Sequence, residues 1–283
     1  MTWQLYITIA ILLLSVAILL QRIIMHRFRA DEGAFAVVFQ LLVAAAMFPF
    51  VLVHGISFRG FTDMWLPIAI STVGFGVGSV VYGKTLKRVD ASAFSVLFAT
   101  QAIWIMLAGV YLIHEHLSPL QLIGTVLILA SVVLLAEDHK MFRNYRGVLY
   151  GLITGALFGI AIAASAYVVR HTDPLTWIWA SFILGGVGSW LADPGSGAPY
   201  RRLFHGKAFH FVLMAVAVYA LGNVAMNFAY IDGPFSLVAP IRQAGIVVTA
   251  LLAFALMRSE RKYIVRKLVA AAICTTGVVL LVV

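Results

Sequence analysis

The chain predicts an all-α integral membrane protein of ten transmembrane helices, arranged as two inverted five-helix repeats. Three observations carry this. Of 283 residues, 63% are hydrophobic and only 11% are charged, where soluble domains hold about 25% charged residues. The bilayer is therefore the solvent. The apolar residues fall into ten runs, each near the ~20 residues that a spanning helix requires. Finally, polar residues of the first half recur in the second at a constant spacing of 142.

In order, the runs are Trp3–Leu20, Ala34–Val53, Met64–Gly83, Ala91–Ile113, Leu120–Ala136, Gly147–Val169, Pro174–Ala192, Ala208–Tyr230, Phe235–Met257 and Ile264–Val283. Lipid offers the backbone no hydrogen bonds, so segments this long and continuous are expected to be helices. The longest connections begin near Glu137 and Asp193, and neither has room for a soluble domain. The first run lacks a basic flank before it and a small-residue cleavage site after it. It is expected to be a retained span and not a signal peptide.

Asp31 recurs as Asp173, Asp90 as Asp232 and Gln101 as Gln243, each 142 residues on; with a few residues inserted, Glu115 pairs with Glu260. The repeats are read as residues 3–136 and 147–283. Each holds an odd number of spans, so the second must cross the membrane in the opposite sense. Inverted repeats of this kind place a binding site near the midplane, between the halves.

Of the Lys and Arg residues, seventeen fall in or beside the loops after spans one, three, five, seven and nine, and two, Arg59 and Arg170, lie on the other side. By the positive-inside rule the basic loops are expected in the cytoplasm and both termini outside. The formal charge of +9 is dispersed among short loops, which points to anionic lipid headgroups of the bilayer and away from nucleic acid. The single cysteine, Cys274, excludes a disulfide within the chain and a cysteine-based metal site. No cofactor is expected. A homo-oligomer is left open.

The unusual span is the ninth, which carries Pro240, Arg242 and Gln243 in its first turns. A charge inside a membrane helix is costly and usually faces a cavity or a partner. Two readings compete: Arg242 snorkels to the headgroups, or it faces an internal cavity that binds a solute. Span eight carries Tyr219, Asn223, Asn227 and Tyr230 on one helical stripe. Asn223 and Arg242 lie at similar distances from the turn around Asp232–Pro234, hence at similar depth. These amides either glue helices together, at about 0.6 kcal/mol each, or share a ligand with Arg242. Span four adds Thr100, Gln101 and Trp104, and Gln40 and Gln21 are further polar candidates.

Trp177 and Trp179, near the start of span seven, are expected in the headgroup belt. Gly151, Gly155 and Gly159 in span six, and Gly74 and Gly78 in span three, form flat faces that predict close packing of spans three and six. Two patterns are decoys. GSVVYGKT, Gly78 to Thr85, has the letters of a phosphate loop but ends an apolar span, where its N–H groups are spent in the helix. HEH, His114 to His116, lacks the i, i+4 spacing of a zinc pair.

The stretches LKRVDASAFSVLFATQAIWIMLAGVYLIHEHLSPLQLIGTVLILASVVLL and AYIDGPFSLVAPIRQAGIVVTALLAFALMRSERKYIVRKLVAAAICTTGVVLL resemble the EamA repeat of the drug/metabolite transporter superfamily. The resemblance covers nearly the whole chain and is specific for fold and poor for substrate. It implies a central cavity lined mainly by spans one, three, four, six, eight and nine. That selects Gln101, Trp104, Asn223, Asn227, Arg242 and Gln243 as substrate-binding candidates and makes Gln40 structural. There are departures. Family repeats often carry a proline early in spans four and nine; Pro240 fits, but Phe98 stands at the equivalent place in span four, so span four is expected to be the straighter. Family members of this architecture usually have both termini in the cytoplasm, opposite to the charge count.

The expected function is secondary transport, as exporter or exchanger, of a small polar or amphipathic metabolite such as an amino acid. No ATPase module is present in the sequence, and no Asp or Glu lies well inside a span to carry protons. Arg242 would attract an anionic group, the amides would offer neutral hydrogen bonds and Trp104 an apolar wall. An enzyme acting on a lipid-linked substrate would need clustered acidic or His residues, which the basic loops lack; a non-transporting structural subunit is the other alternative.

Overall fold

A computed structural model describes residues 3–105, 107, 118–136, 145–169, 171–194, 200–201, 203–204, 206–232, 242, 245–256 and 264–282. Among them are ten α-helices and no strand: α1 (Trp3–Arg27), α2 (Glu32–His54), α3 (Trp65–Leu86), α4 (Ala91–Ala99), α5 (Pro119–Ala136), α6 (Tyr145–Val169), α7 (Pro174–Ala192), α8 (Gly206–Asp232), α9 (Gly245–Leu256) and α10 (Ile264–Val282). Six of these, α1, α2, α3, α6, α7 and α8, are long and apolar enough to cross a membrane; the described parts of α4, α5 and α9 are shorter apolar helices. The protein is an integral, multi-pass membrane protein. Glu115, Glu260 and the HEH run lie outside the described residues.

Most boundaries fall within a few residues of the hydropathy runs. α1 is longer: it continues past Leu20 and carries Gln21 and Arg22, both buried, into its final turns. The repeat pair Asp31 and Asp173 has one local role. Each caps the next helix, Asp31 accepting from the Ala34 N–H at 2.9 Å and Asp173 from the Thr176 N–H at 2.7 Å. A carboxylate at a helix start satisfies an orphan donor and complements the helix dipole. Gly78 to Thr85 lies inside α3, so the phosphate-loop letters are helix.

Span four was expected to be straighter than span nine; the start of span nine around Pro240 lies outside the described residues, but α4 is not straight. It is interrupted at Thr100 without any proline, and residues 101–105 are helical again. The Thr100 hydroxyl donates to the Leu97 carbonyl at 2.7 Å. The backbone there tightens to i+3 bonds, Thr100 to Leu97 at 3.2 Å and Ile103 to Thr100 at 3.0 Å. A side chain competing for a helical carbonyl is a recognised cause of such a local break.

The closest helix approaches rest on glycine. On α3, Gly74 faces Leu157 and Ala161 of α6, and Gly78 faces Phe158. The glycine face of α6 points elsewhere: Gly151, Gly155 and Gly159 lie against Leu97, Thr100, Gln101 and Trp104 of the α4 segment. Spans three and six do pack together, but the α6 glycines serve α4. Gly76 of α3 meets Gly188 of α7 backbone to backbone. There Gln40 Nε2 donates to Ser189 Oγ at 2.9 Å, and Ser189 Oγ donates to the Gly76 carbonyl at 3.0 Å. Gln40 is thus a structural tie among α2, α7 and α3.

Trp177 is not a belt residue. It is fully buried, and its indole donates to Ser165 Oγ of α6 at 2.7 Å. Its polar tip is satisfied inside the protein, which removes the reason to sit among headgroups. Trp179 is half-buried against Phe48. Nearby, His54 Nε2 and Asp173 Oδ1 are 3.3 Å apart and the Ser57 N–H donates to Thr176 Oγ1 at 3.1 Å, tying the end of α2 to the start of α7.

Two outcomes follow. A Cβ at Gly159 would lie 2.6 Å from Trp104 Cβ and 2.7 Å from the Gln101 carbonyl, whereas at Gly245 the nearest atom is 3.9 Å away. Gly159→Ala is expected to cost about 1–3 kcal/mol through overpacking, while Gly245→Ala is neutral or stabilises by up to about 1 kcal/mol; thermal unfolding in detergent separates them. At Asp173, burial pushes the carboxyl up, but hydrogen bonds from the Thr176 N–H, the Thr176 hydroxyl and His54 outweigh it and hold the group below its ordinary value. A depressed carboxylate stabilises the fold above its unfolded value, about 4, and that contribution is lost as pH falls through the folded value. The stability gap between wild type and Asp173→Asn should therefore be widest near neutrality and shrink below about pH 4.

Candidate functional site

The bundle core brings together polar residues from helices distant in sequence. On α8, the Asn223 amide donates to the Tyr219 carbonyl at 2.9 Å and also reaches the Tyr219 phenol. Both contacts stay within α8, which does not favour a role for Asn223 as glue between helices. Tyr219 stands at the midpoint of α8. Phe39 of α2 meets it edge-on at 5.2 Å and Phe182 of α7 at 6.1 Å.

Arg242 is exposed and helical, three residues before the start of α9. Tyr82 of α3 is half-buried. Its ring packs edge-on against Phe94 at 4.7 Å and Phe98 at 6.0 Å, with Phe158 of α6 at 6.2 Å. The sequence reading missed Tyr82, because a lone tyrosine near the end of an apolar run carries no distinguishing pattern.

The other expected residues are placed as follows. Gln101, beside the Thr100 break, is half-buried, and its Oε1 is sealed without a hydrogen-bond partner. A sealed, unsatisfied acceptor costs about 1–3 kcal/mol, which is unusual enough in a native core to mark the position. Trp104 is 39% exposed, with its Cβ side against the Gly159 backbone. The Asn227 side chain and all of Gln243 lie outside the described residues. No group of three His, Cys, Asp or Glu able to hold a metal ion occurs among the described residues.

Residues 1–136 match the EamA-like transporter family. A solved crystal structure of a protein aligns over 98% of this chain and 95% of its own length, with a TM-score of 0.62 and 17% identity. At that identity the likeness speaks for the fold alone. No curated protein matches.

One end of the bundle is tied by ion pairs. Arg22, 7% exposed, donates to the Leu86 carbonyl at the end of α3 and lies 3.8 Å from Asp90 at the start of α4. Lys267 of α10, 9% exposed, pairs with the same carboxylate. Glu32 of α2 receives Lys87 at 3.1 Å and Arg88 at 3.9 Å. Asp90 thus joins the first half to α10, through cations held mostly out of water, where pairing is worth more than at an open surface. In a double-mutant cycle on thermal stability, Asp90→Asn and Lys267→Met should each destabilise, with a coupling of about 1–2 kcal/mol; strict additivity would show the pair to be inert.

Proposed function

We propose that this protein is a secondary transporter of a small polar or amphipathic metabolite such as an amino acid, a reading supported by the match of residues 1–136 to the EamA-like transporter family. It works as exporter or exchanger through a central cavity between two inverted five-helix repeats, residues 3–136 and 147–283. Helix pairing supports the repeats. Under the correspondence of α1 with α6, α2 with α7, and so on, the extensive α1–α8 and α3–α6 contacts exchange with one another. The α2–α7, α4–α9 and α5–α10 contacts map onto themselves.

The observation that carries the reading is Arg242, a charge placed within an apolar run and exposed just before α9. Gln101, Trp104, Asn223, Asn227 and Gln243 complete the proposed binding set. The loops after α1 and α3, Leu203, and the start of α8 line one recess at a single end of the bundle. The ends of α2 and α6 meet at the other, where Gly60 touches the His171 backbone. This agrees with the alternation of basic and non-basic loops, and we place the basic end in the cytoplasm, with both termini outside the cell membrane.

In vesicles holding the purified protein, a panel of labelled amino acids and related metabolites should include one with saturable flux. Arg242→Ala should lower that flux by at least ~10-fold, a loss of about 1.4 kcal/mol or more in solute binding. Arg59→Ala, on an exposed loop at the far end, should leave it within about twofold. Equal effects of the two would remove Arg242 from the cavity.

A further inference from the structure

The recess at the basic end of the bundle has a volume of about 270 Å³. Its walls are the loop after α1, Phe28 to Asp31, with Lys87 just past α3, Leu203, and Ala208 of α8. The charges around it are not equivalent. Lys87 lies 3.1 Å from Glu32, and Asp31 Oδ1 accepts from the Ala34 N–H. Arg29 is exposed and has no ion pair or side-chain hydrogen bond among the described residues. It also sits at φ 47°, in the left-handed region that disfavours any residue with a Cβ. Arg27 and Lys207, two residues before Arg29 and one before Ala208, are exposed and equally without such a partner among the described residues. Ala208 brings the first turn of α8, the positive end of its dipole, to the same wall. The remaining lining is apolar: Phe28 packs on Phe211 of α8 at 5.3 Å, and Leu203 is buried.

We propose that this recess binds the headgroup of an anionic, hydroxyl-bearing phospholipid such as phosphatidylglycerol, with its phosphodiester on Arg29 and its glycerol ester along Phe28 and Leu203. Position comes first. The walls are the ends of α1 and α3 and the approaches to α2 and α8, so they stand where spans leave the hydrocarbon and headgroups begin. Size comes second. The recess is smaller than the ~300–1,000 Å³ of pockets that enclose a drug-sized ligand, so it takes a headgroup and leaves the acyl chains in the bilayer. Chemistry selects among headgroups. A guanidinium matches two phosphate oxygens at once. A choline headgroup would bring a second positive charge among Arg27, Arg29 and Lys207. The other Asp31 oxygen has no hydrogen bond among the described residues, and a carboxylate only accepts; a headgroup hydroxyl supplies the donor. A free phosphate would make no use of the apolar walls.

Native mass spectrometry of the purified full chain, released from a neutral detergent, counts retained lipid. With phosphatidylglycerol and phosphatidylcholine of matched chains in equal amounts, the wild type should retain one phosphatidylglycerol, at least ~5-fold over phosphatidylcholine. Arg29→Asn and Arg29→Gly remove the charge and suit the left-handed backbone, so the fold is preserved. Each should weaken retention by ~5-fold or more. Arg59→Asn, exposed at the far end, should change it by less than ~2-fold. Excess inorganic phosphate should not displace the lipid. Equal retention of the two lipids, or Arg29 variants that match the wild type, would overturn the assignment. Displacement by inorganic phosphate would also overturn it, by making the recess a site for a free anion.

Discussion

Helices in lipid gain little from burying apolar surface against one another, since the tails they displace are as apolar as leucine; close fit must supply the attraction. In this chain that fit depends on glycine. Gly74 and Gly78 let α6 onto α3, Gly151, Gly155 and Gly159 let the α4 segment onto α6, and Gly76 meets Gly188 with no side chain between. Each contact brings backbone close to backbone, where dispersion is gained over many atoms at once. The central residues depend on it. Phe158 reaches Tyr82 and Phe98 because Gly78 leaves room beside it, and Gln101 and Trp104 are set by the flat face of α6.

The two ends of the bundle are tied by different chemistry. At the basic end, Asp90 and Glu32 gather Arg22, Lys267, Lys87 and Arg88, linking α1, α2, α3, α4 and α10. At the other end, among the described residues, the tie is lighter: one His54–Asp173 contact and a hydroxyl bond between α2 and α7. A carrier that exposes its site alternately must release one end while holding the other. Several half-buried ion pairs resist opening more than one partly exposed histidine does. Among the described residues the heavier tie lies at the basic end.

Much of the fold was legible because the bilayer imposes a length rule and a hydropathy rule that leave few alternatives. α7 begins and ends where its apolar run does, and the pairing of Asp31 with Asp173 reappears as two equivalent caps. What hydropathy could not give was direction. A glycine stripe declares a flat face without naming its partner: spans three and six pack as expected, but through Gly74 and Gly78, while the α6 glycines serve α4. A tryptophan near a span end looks the same whether its indole meets headgroups or, as at Trp177, a serine one helix away. The break in α4 escaped for a related reason: it comes from a threonine hydroxyl turning back on its own helix, and threonine in a membrane span is common. Arg242 was legible because its cost is exceptional. Tyr82 was not, because a phenol is cheap to place in lipid and only its neighbours distinguish it.

The central residues are unequal between the halves, and the inequality has a physical logic. The second half contributes the charge, Arg242, and the amide of Asn223; the first contributes the sealed amide of Gln101 and the Tyr82 phenol. In the proposed cavity a single cation is tolerable if it is reached by water or by a counter-charge, and Arg242 is exposed. A second, symmetric arginine where Thr100 stands would bring a like charge to the same space and raise the cost of both. Threonine there does something else: it breaks α4 and turns the following residue, Gln101, against the glycine face of α6, with an acceptor left unsatisfied. One half thus holds charge and the other holds an unfilled hydrogen-bonding position. In the proposed cavity, polar groups divided in this way would orient an asymmetric solute, which a strictly symmetric site could not do.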